Sequence, residues 1–408
     1  MKIINTEQAP VKMWLDDIEP GAMAQVKNLA NFPFTFHHVA IMPDSHQGYG
    51  MPIGGVLATR QVIIPNAVGV DIGCGMCAVK TSLTSLETST LKKIMGEIRK
   101  AIPVGFEHHK EEQSTSLMPD GSMMFYENKI GDTTTVDKVA TKICFQEYNK
   151  SLKSIGTLGG GNHFIEIQKG SDGHIWIMIH SGSRNLGKQV ADYYNKIAIK
   201  ENEKWASSVP REWELAFLPI DSEEGRAYIR EMNYCVEFAL ANRKLMMEKI
   251  GDIFMKYFPN NSRYELMGMP EELINIAHNY AKMENHFGEN VMVHRKGATL
   301  ATTDTVGIIP GSQGTKSYIV KGKGNADSFN SCSHGAGRKM GRNQAEKNLN
   351  LEEEIKKLDD LGVIHAIRGT KDLDEAPGAY KDIDEVMKNQ EDLVEILVEL
   401  TPLGVIKG

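Results

Sequence analysis

Two residues able to bind a metal ion stand three positions apart in a glycine-rich loop. Asp71 and Cys74 lie in the segment GVDIGCG, residues 69–75, which follows an apolar run at residues 62–64. Glycine lets the backbone turn tightly, so the carboxylate and the thiolate can converge on one point. Two adjacent anions repel each other unless a cation lies between them. A buried cysteine in a glycine turn is the commoner arrangement for a lone cysteine, so this motif alone does not establish a metal site.

Four histidines stand in similar settings, in glycine-rich loops or near strand ends. They are His163 in GGGNHFIE, His180 in HSGSR, His278 in INIAHNY and His334 in SHGAGR. Each alone is more often a structural histidine, but together with Asp71 and Cys74 they suit one or two divalent transition metals. The ligands would come from distant segments of the chain. Thiolate and imidazole hold Zn²⁺ more tightly than Mn²⁺, and the residues alone leave the metal open.

One loop and one histidine could handle phosphate. Residues 310–316, PGSQGTK, combine glycines, hydroxyls and a lysine, which is typical of a nest of backbone N–H groups for phosphate, although a plain turn explains them equally well. Arg184 and Arg338 each follow a histidine by four positions and could bind a phosphate or a carboxylate. His334 has small neighbours, so its imidazole is open to a bulky reactant and could carry a covalent intermediate.

Hydrophobic periodicity indicates the elements that must position these side chains. Helical spacing predicts helices over residues 85–100, 187–205, 223–258, 351–361 and 383–400. Apolar runs predict strands over residues 56–59, 62–64, 175–179, 291–293 and 317–320. Most of these strands end in a turn that bears glycine, histidine or cysteine, as in a site built by loops on a rigid scaffold. The polar segment 107–138 lacks periodicity and is interpreted as a flap or an insertion.

Composition limits the class of protein. Of the 408 residues, 41% are hydrophobic and 24% are charged, which is ordinary for a globular protein with a sizeable core. A formal net charge of −7 argues against coating nucleic acid by bulk charge but leaves room for a local basic cleft. No apolar run reaches the ~18 residues of a membrane helix, and no secretory signal is visible. The 5 cysteines are an odd number and are spread thinly along the chain, which argues against a disulfide framework and favours a reducing, cytoplasmic setting.

Taken together, the motifs resemble those of the RtcB family of RNA ligases, and the resemblance runs nearly from end to end. It is carried, in chain order, by MPDSHQGYG, GVDIGCG, GGGNHFIE, HSGSR, HRKGA, PGSQGTKSYIV, SHGAGR and AYKDI. The resemblance implies an α+β fold and a single domain over residues 1–408, with mixed sheets and helices around a deep cleft that holds two Mn²⁺ ions. The metal ligands that it implies, with the thiolate bridging, are Asp71, Cys74, His163, His180 and His278.

The resemblance also implies a covalent route through guanylate. His334 would accept GMP from GTP, Asp44 would orient His334, and Arg184 would contact a phosphate. The implied guanylate pocket, in which Lys407 contacts the guanine, comprises Asn162, Glu166, Pro310, Gly311, Ser312, Gln313, Gly314, Ser317, His334, Gly335, Ala336, Gly337, Tyr380 and Lys407. The implied reaction joins RNA 2′,3′-cyclic phosphate or 3′-phosphate ends to 5′-hydroxyl ends, in tRNA splicing or RNA repair. We further expect a monomer with no membrane partner.

Two positions of the sequence depart from the family pattern. Ser45 stands where valine is usual, and three glycines precede Asn162 where Gly-Ser/Thr-Gly is common, which leaves the physiological RNA open.

Two other classes of protein are alternatives to an RNA ligase. A metal-dependent phosphohydrolase could use the same ligands with water as nucleophile, but it would need neither a guanylated His334 nor a base-reading Lys407. A non-catalytic accessory protein on RNA would not need buried charge of this type.

Overall fold

The computed structural model describes residues 1–121 and 142–408, together with the backbone of two strands at residues 126–130 and 133–137. The strands in this part of the chain are β1 Lys2–Ile4, β2 Val11–Met13, β3 Thr35–His46, β4 Ile53–Thr59, β5 Val62–Ile63, β6 Gly75–Lys80, β7 Tyr126–Ile130, β8 Thr133–Asp137, β9 Phe164–Gly170, β10 Ile175–Ser181, β11 Leu218–Pro219, β12 Ile274–Ala277, β13 Asn279–His286, β14 Glu289–Lys296, β15 Ala298–Leu300, β16 Val306–Ile309, β17 Ser317–Gly322, β18 Ser331–Ser333 and β19 Val394–Lys407. The segment 107–138, interpreted as a flap or an insertion, is described over residues 107–121 and in the backbone of β7 and β8, and its remaining residues lie outside the described part of the chain.

The α-helices surround these strands. They are α1 Pro20–Ala30, α2 Pro65–Val68, α3 Thr88–Ala101, α4 Lys142–Gln146, α5 Tyr148–Ser154, α6 Leu186–Lys204, α7 Glu223–Tyr257, α8 Arg263–Met267, α9 Arg342–Asn348, α10 Leu351–Asp360 and α11 Ile383–Lys388. Short 3-10 turns cover Thr115–Leu117, Arg211–Trp213, Pro270–Glu272, Ala326–Ser328, Thr370–Glu375 and Pro377–Ala379. In the described ranges, no helix combines the length and the apolar character required to cross a membrane.

Two large mixed-order sheets form the frame of the molecule. The first has six strands in the order β1-β2-β3-β4-β14-β13, and the second has seven in the order β12-β6-β10-β9-β19-β17-β16. The register of β10 opposes His180 to Phe164 on β9 and to Met76 on β6. His163 directly precedes β9, and Cys74 directly precedes β6. This register therefore brings Cys74, His163 and His180 together at the same end of three adjacent strands of the second sheet.

The apolar core connects the two sheets. Val56 and Val293 of the first sheet belong to the same buried cluster as Tyr318 and Val320 of the second. Burying side chains of this size stabilises a fold by about 1.5–3 kcal/mol each. Sheets and helices alternate irregularly along the chain, so the predicted α+β fold class is confirmed, whereas a single domain over residues 1–408 stays a prediction.

The helix α7 is the longest helix of the described chain and supports the second sheet. Its first turn is capped by Ser222, whose hydroxyl accepts the N–H of Gly225 at 3.0 Å. The buried face of α7 includes Met246, Ile250 and Phe254, which share one core cluster with residues of β6 and β10. The helical periodicity of residues 223–258 therefore predicted this element correctly.

The helix predicted over residues 383–400 is wrong in its second half. Helix α11 ends at Lys388, and the strand β19 then begins at Val394. This strand lies between β9 and β17, so its backbone groups are paired on both sides, and that long-range pairing overrides a local pattern that fits both periods. Lys407 is the last residue of β19 and is paired with Phe164, so the sheet fixes its backbone.

Candidate metal cluster and adjoining pocket

The loop that bears Asp71 and Cys74 is a tight turn between α2 and β6. The N–H of Cys74 donates to the carbonyl oxygen of Asp71 at 3.0 Å, and Gly73 adopts a φ of 79°. A Cβ on Gly75 would lie 2.2 Å from the carbonyl oxygen of Ile276, so only glycine fits against β12 at this position. The turn therefore depends on the glycines that made the motif conspicuous in the sequence.

The structure brings the five predicted metal ligands together. Cys74 Sγ lies 3.4 Å from His163 Nε2 and 3.3 Å from His180 Nε2. His163 Nε2 lies 3.1 Å from Asp71 Oδ2, and His180 Nε2 lies 3.4 Å from His278 Nε2. Within the described chain these atoms form two groups of three: Asp71, Cys74 and His163, and Cys74, His180 and His278. Cys74 belongs to both groups, as expected for a thiolate shared by two cations, but metal binding itself stays a prediction.

The chemistry of these side chains fits divalent transition metals. Burial and the adjacent Asp71 carboxylate raise the pKa of the Cys74 thiol well above its ordinary value, so a cation is needed to hold the thiolate. Burial lowers the pKa values of His180 and His278 well below the ordinary value, which keeps both imidazoles in the neutral form that binds metal. An Nδ1–H of His180 donated to the carbonyl oxygen of Asn162, 3.1 Å away, leaves the Nε2 lone pair free.

Two polar residues of α7 hold the loops of this metal cluster. Arg243 is fully buried, and its Nη1 donates to the carbonyl oxygens of Gly73 at 2.9 Å and Ser181 at 2.8 Å. Asn242 accepts the N–H of Gly156 at 2.7 Å. Burial lowers the pKa of Arg243 to about 10, so the guanidinium stays charged at neutral pH. Sequence reasoning missed both residues, and the available signal was a polar pair on the apolar face of an amphipathic helix.

His334 lies between a buried carboxylate and the metal cluster. It directly follows β18, and its Nδ1 lies 2.6 Å from Oδ2 of Asp44, which also accepts the backbone N–H of His334 at 3.1 Å. Because an ionised carboxylate only accepts hydrogen bonds, Nδ1 carries the proton and Nε2 keeps its lone pair. The ring of His334 packs edge-on against His278, with 4.7 Å between ring centroids. The predicted nucleophile therefore contacts a predicted metal ligand.

A cavity of about 220 Å³ opens beside His334. The predicted pocket residues that line it are Asn162, Glu166, Pro310, Gly311, Ser312, Gln313, His334, Gly335, Ala336, Gly337, Tyr380 and Lys407. Burial raises the pKa of Glu166 to about 8, so its carboxyl group carries a proton at neutral pH and can donate a hydrogen bond. The cavity thus offers both donors and acceptors to a polar ligand.

Two predicted pocket residues, Gly314 and Ser317, are not among those that line the cavity. The Ser317 hydroxyl accepts the N–H of Gly311 at 3.1 Å, and this hydrogen bond stabilises the loop of residues 310–316. A Cβ on Gly314 would lie 2.7 Å from the Leu358 side chain, so this glycine permits the loop to pack against α10. Both residues stabilise the loop itself, and their direct contact with a ligand stays a prediction.

A buried carboxylate that sequence reasoning missed organises the basic side of the cavity. Glu375 accepts hydrogen bonds from Arg338 Nη1 at 3.2 Å, from Lys407 Nζ at 3.0 Å and from the Tyr380 hydroxyl, and Arg342 Nη1 lies 3.1 Å away. Burial raises the pKa of Glu375, but Lys407 and Arg342 more than offset this, and its pKa lies below the ordinary value. The sequence left either a phosphate or a carboxylate as the partner of Arg338, and in the structure Arg338 binds the carboxylate of Glu375. No periodicity marks Glu375, because it ends a 3-10 turn.

Arg184 lies on the metal side of the site and is not among the residues that line the cavity. Its Nε donates to the Thr157 hydroxyl at 2.7 Å, and its Nη2 donates to the carbonyl oxygen of Gly105 at 2.9 Å. A Cβ on Gly159 would lie 2.3 Å from both Arg184 Nη1 and His163 Nδ1. The guanidinium therefore lies beside a predicted metal ligand, and its contact with a phosphate stays a prediction.

Fold and site together define an α+β protein in which a cluster of side chains able to bind metal adjoins His334 and a cavity with a basic wall. A family model described as tRNA-splicing ligase RtcB matches residues 25–408 of this chain. The chain therefore belongs to the RtcB family, and the resemblance carried by its motifs is confirmed.

Relatives from distant organisms match over nearly their full lengths. The chain is 39% identical to the RNA-splicing ligase RtcB of Escherichia coli, with 100% of this chain and 99% of that protein covered. It is 32% identical to the tRNA-splicing ligase RtcB of Thermococcus kodakarensis, with 98% and 95% covered. It is also 32% identical to the RNA-splicing ligase RtcB of Mycobacterium tuberculosis, with 94% and 100% covered.

Proposed function

We propose that this protein is an RNA ligase that uses GTP and Mn²⁺ to join a 2′,3′-cyclic phosphate or 3′-phosphate end to a 5′-hydroxyl end, through a guanylated His334. Membership of the RtcB family supports RNA ligation. The observation that carries the finer proposal is the position of His334, held by Asp44 on one side and packed against His278 on the other. A nucleophile in that position can reach a phosphate bound beside the metal cluster.

In the first chemical step, Nε2 of His334 attacks the α-phosphorus of GTP. A P–N bond forms, the bond between the α-phosphorus and the bridging oxygen breaks, and pyrophosphate leaves. Asp44 keeps the proton on Nδ1 and stabilises the positive charge that develops on the ring. When bound at Asp71, Cys74, His163, His180 and His278, the divalent ions would offset negative charge on the reacting phosphates.

The next steps transfer the guanylate to RNA and then seal the strands. A 2′,3′-cyclic phosphate end is first hydrolysed to a 3′-phosphate, whose oxygen attacks the phosphorus of the histidine-bound GMP and frees His334. The 5′-hydroxyl of the second strand then attacks the 3′-phosphorus, a phosphodiester forms, and GMP leaves. Arg184, which lies beside His163, would contact a phosphate during these steps.

The guanine would occupy the cavity beside His334. Lys407 provides an ammonium group for the guanine O6, and its Nζ lies 5.8 Å from the centroid of the Phe164 ring. Glu166 and Asn162 supply further polar groups on the same wall. The backbone N–H groups of the loop that begins at Pro310 would contact phosphate oxygens.

The remaining parts of the proposal concern the metal and the cellular setting. The choice of Mn²⁺ and of two ions per chain follows the family resemblance, since the ligand chemistry also suits Zn²⁺. A cytoplasmic location and a monomeric state are part of this proposal. All 5 cysteines lie in the described chain, buried and without a disulfide, which is consistent with a reducing compartment.

The proposal is tested by incubating the purified protein with GTP labelled on the α-phosphate, in the presence of Mn²⁺. We expect an acid-labile label on the wild-type protein and none on His334→Ala, because a phosphoramidate bond to histidine breaks in acid. His174→Ala is a matched control, since His174 bonds the Thr81 carbonyl oxygen on the outer part of the second sheet, and it should label normally.

Ligation is measured on the same preparations with defined RNA ends. Strands with a 3′-phosphate and a 5′-hydroxyl should be joined, and strands with a 3′-hydroxyl and a 5′-phosphate should not. Wild-type protein that stays unlabelled across several divalent metals, or His334→Ala that labels as well as wild type, would show that the covalent mechanism is wrong. A metal-dependent phosphohydrolase would release phosphate from these ends without any label.

A further inference from the structure

Two aromatic side chains in this protein are unusually exposed. Phe106 is fully exposed and Tyr49 is 67% exposed, and these are the two most exposed large apolar side chains among residues 1–121 and 142–408. Single exposed apolar residues are common and need no explanation by themselves. These two side chains differ from other exposed ones because each belongs to a loop that is hydrogen-bonded to residues near the metal cluster or His334.

Phe106 is held against the metal side of the site. The N–H of Gly105 donates to the carbonyl oxygen of Gly159 at 2.9 Å, and the carbonyl oxygen of Gly105 accepts Nη2 of Arg184 at 2.9 Å. Gly159 in turn lies against both Arg184 and the ring of His163. The backbone just before Phe106 is therefore fastened to the segment that carries a predicted metal ligand.

Tyr49 is held against the nucleophile side of the site. Its carbonyl oxygen accepts Nζ of Lys296 at 2.6 Å, and that lysine is 6% exposed. The next residue, Gly297, lies so close to His334 that a Cβ there would be 3.0 Å from the Cε1 of the imidazole. Tyr49 also follows Asp44 by five positions in the chain. Its ring is therefore presented to solvent from a segment that supports the predicted nucleophile.

We propose that Phe106 and Tyr49 stack against unpaired bases of the RNA strands next to the ends that are joined, and this rests on the proposed function. An RNA strand presents its bases as flat apolar faces, and aromatic side chains that bind single strands do so by stacking on them. Electrostatic attraction to the RNA phosphates is a weaker explanation for binding around Phe106, because Glu107 and Lys110 place both signs of charge on the same loop. Stacking requires no particular base, which suits a ligase that joins strands of different sequence.

The experiment compares Phe106→Ala and Tyr49→Ala with wild type in a ligation assay that varies the concentration of single-stranded RNA. Each substitution should raise the KM for RNA about tenfold, the effect of losing one stacked base. Phe106→Trp and Tyr49→Phe should retain a KM near that of wild type, whereas Phe106→Leu should resemble Phe106→Ala. The slope of log affinity against log salt should not change, since no ion pair with phosphate is lost.

Two controls make the result interpretable. Self-labelling with GTP requires no RNA and should be unchanged in both alanine variants, which also shows that they fold. Tyr264→Ala removes another exposed aromatic side chain, from a groove that contains none of the site residues, and should leave the KM for RNA unchanged.

An unchanged KM in both alanine variants, or full retention of affinity in Phe106→Leu, would overturn the stacking proposal while the ligase proposal stands. Absence of self-labelling in the wild-type protein would instead overturn the proposed function. The two failures are therefore distinguishable, because one is read on RNA affinity and the other on GTP alone.

Discussion

Asp44 and His334 stand 290 positions apart in the chain, yet Oδ2 of Asp44 lies 2.6 Å from Nδ1 of His334. The same oxygen accepts the backbone N–H of His334, so both the ring and its attachment to the chain are fixed. The carboxylate is fully buried at the end of a strand of the first sheet. This contact decides which ring nitrogen of His334 is available for chemistry.

Replacing the carboxylate tests that relationship. Asp44→Asn should reduce the rate of self-labelling with GTP by about 10²-fold or more, because an amide stabilises the charged imidazole less and can select the wrong tautomer. Metal content should be unchanged. Asp327→Asn, which alters the partner of Lys12 elsewhere, should label at the wild-type rate. A normal labelling rate in Asp44→Asn would show that the contact does not orient the nucleophile.

Removing the shared thiol should affect both ligand groups of the metal cluster. Cys74→Ala should lose most of its bound metal, whereas His278→Ala and Asp71→Ala, each in one group only, should retain part of it. The measurement is metal content per chain after dialysis, by elemental analysis. Cys77→Ala, at a buried cysteine outside both groups, is the matched control and should stay loaded. Full occupancy in Cys74→Ala would contradict the assignment.

The basic wall of the cavity should depend on its buried carboxylate. Glu375→Gln should raise the KM for GTP about tenfold, with a smaller effect on kcat, because Lys407 and Arg338 lose the charge that holds them in place. Glu399→Gln removes a surface partner of Lys316 and should leave both constants unchanged. A fall in kcat with an unchanged KM in Glu375→Gln would indicate a role in the reaction itself instead.

The loop after His334 contains a glycine, Gly337, at a position where a side chain would not fit. Gly337 has a φ of 72°, and a Cβ there would lie 2.1 Å from the carbonyl oxygen of Asp44. Gly337→Ala should lower the free energy of unfolding by about 1–3 kcal/mol and abolish most self-labelling, because the backbone of Asp44 must move. Gly341→Ala meets no neighbour within 4 Å and should be neutral in chemical denaturation. Equal stability of the two variants would refute this account.

The buried ion pair of Glu284 and Arg295, which does not line the cavity, predicts how stability changes in acid. Burial raises the pKa of Glu284, but His286 and Arg295 more than offset this and set it at about 2, against an ordinary value of 4.5. The unfolded chain therefore takes up this proton first as the pH falls, so the stabilisation is present above pH 4.5 and is lost progressively toward pH 2.

Glu284→Gln should lower the free energy of unfolding at pH 7 by about 3 kcal/mol, because Arg295 is left buried and unpaired. The difference between variant and wild type should narrow between pH 4.5 and pH 2, measured by chemical denaturation at each pH. A difference independent of pH would show that the loss comes from packing. Glu289→Gln, which breaks an exposed pair with Arg60, should change stability little.

Most helices and strands near the site could be predicted from local patterns. The long helix α7 and the strand β10 follow from periodicity, because their buried faces are continuous in sequence. Strand β19 could not be predicted this way, since its conformation comes from pairing with strands that lie far away in the chain. Glu375 could not be found either, because its importance lies in partners far away in the chain, namely Arg338, Arg342 and Lys407.

The residue types that can do chemistry here are a property of the amino-acid sequence: the cysteine in its glycine turn, the histidines near strand ends and the open histidine of SHGAGR are all recognisable without coordinates. Only the tertiary structure decides that Cys74 is shared by two ligand groups, that Arg338 faces Glu375, and that Gly314 and Ser317 support a loop. The reason is physical. Local sequence sets which side chain a turn presents, but strand register and core packing set the distances between turns that are far apart in the chain.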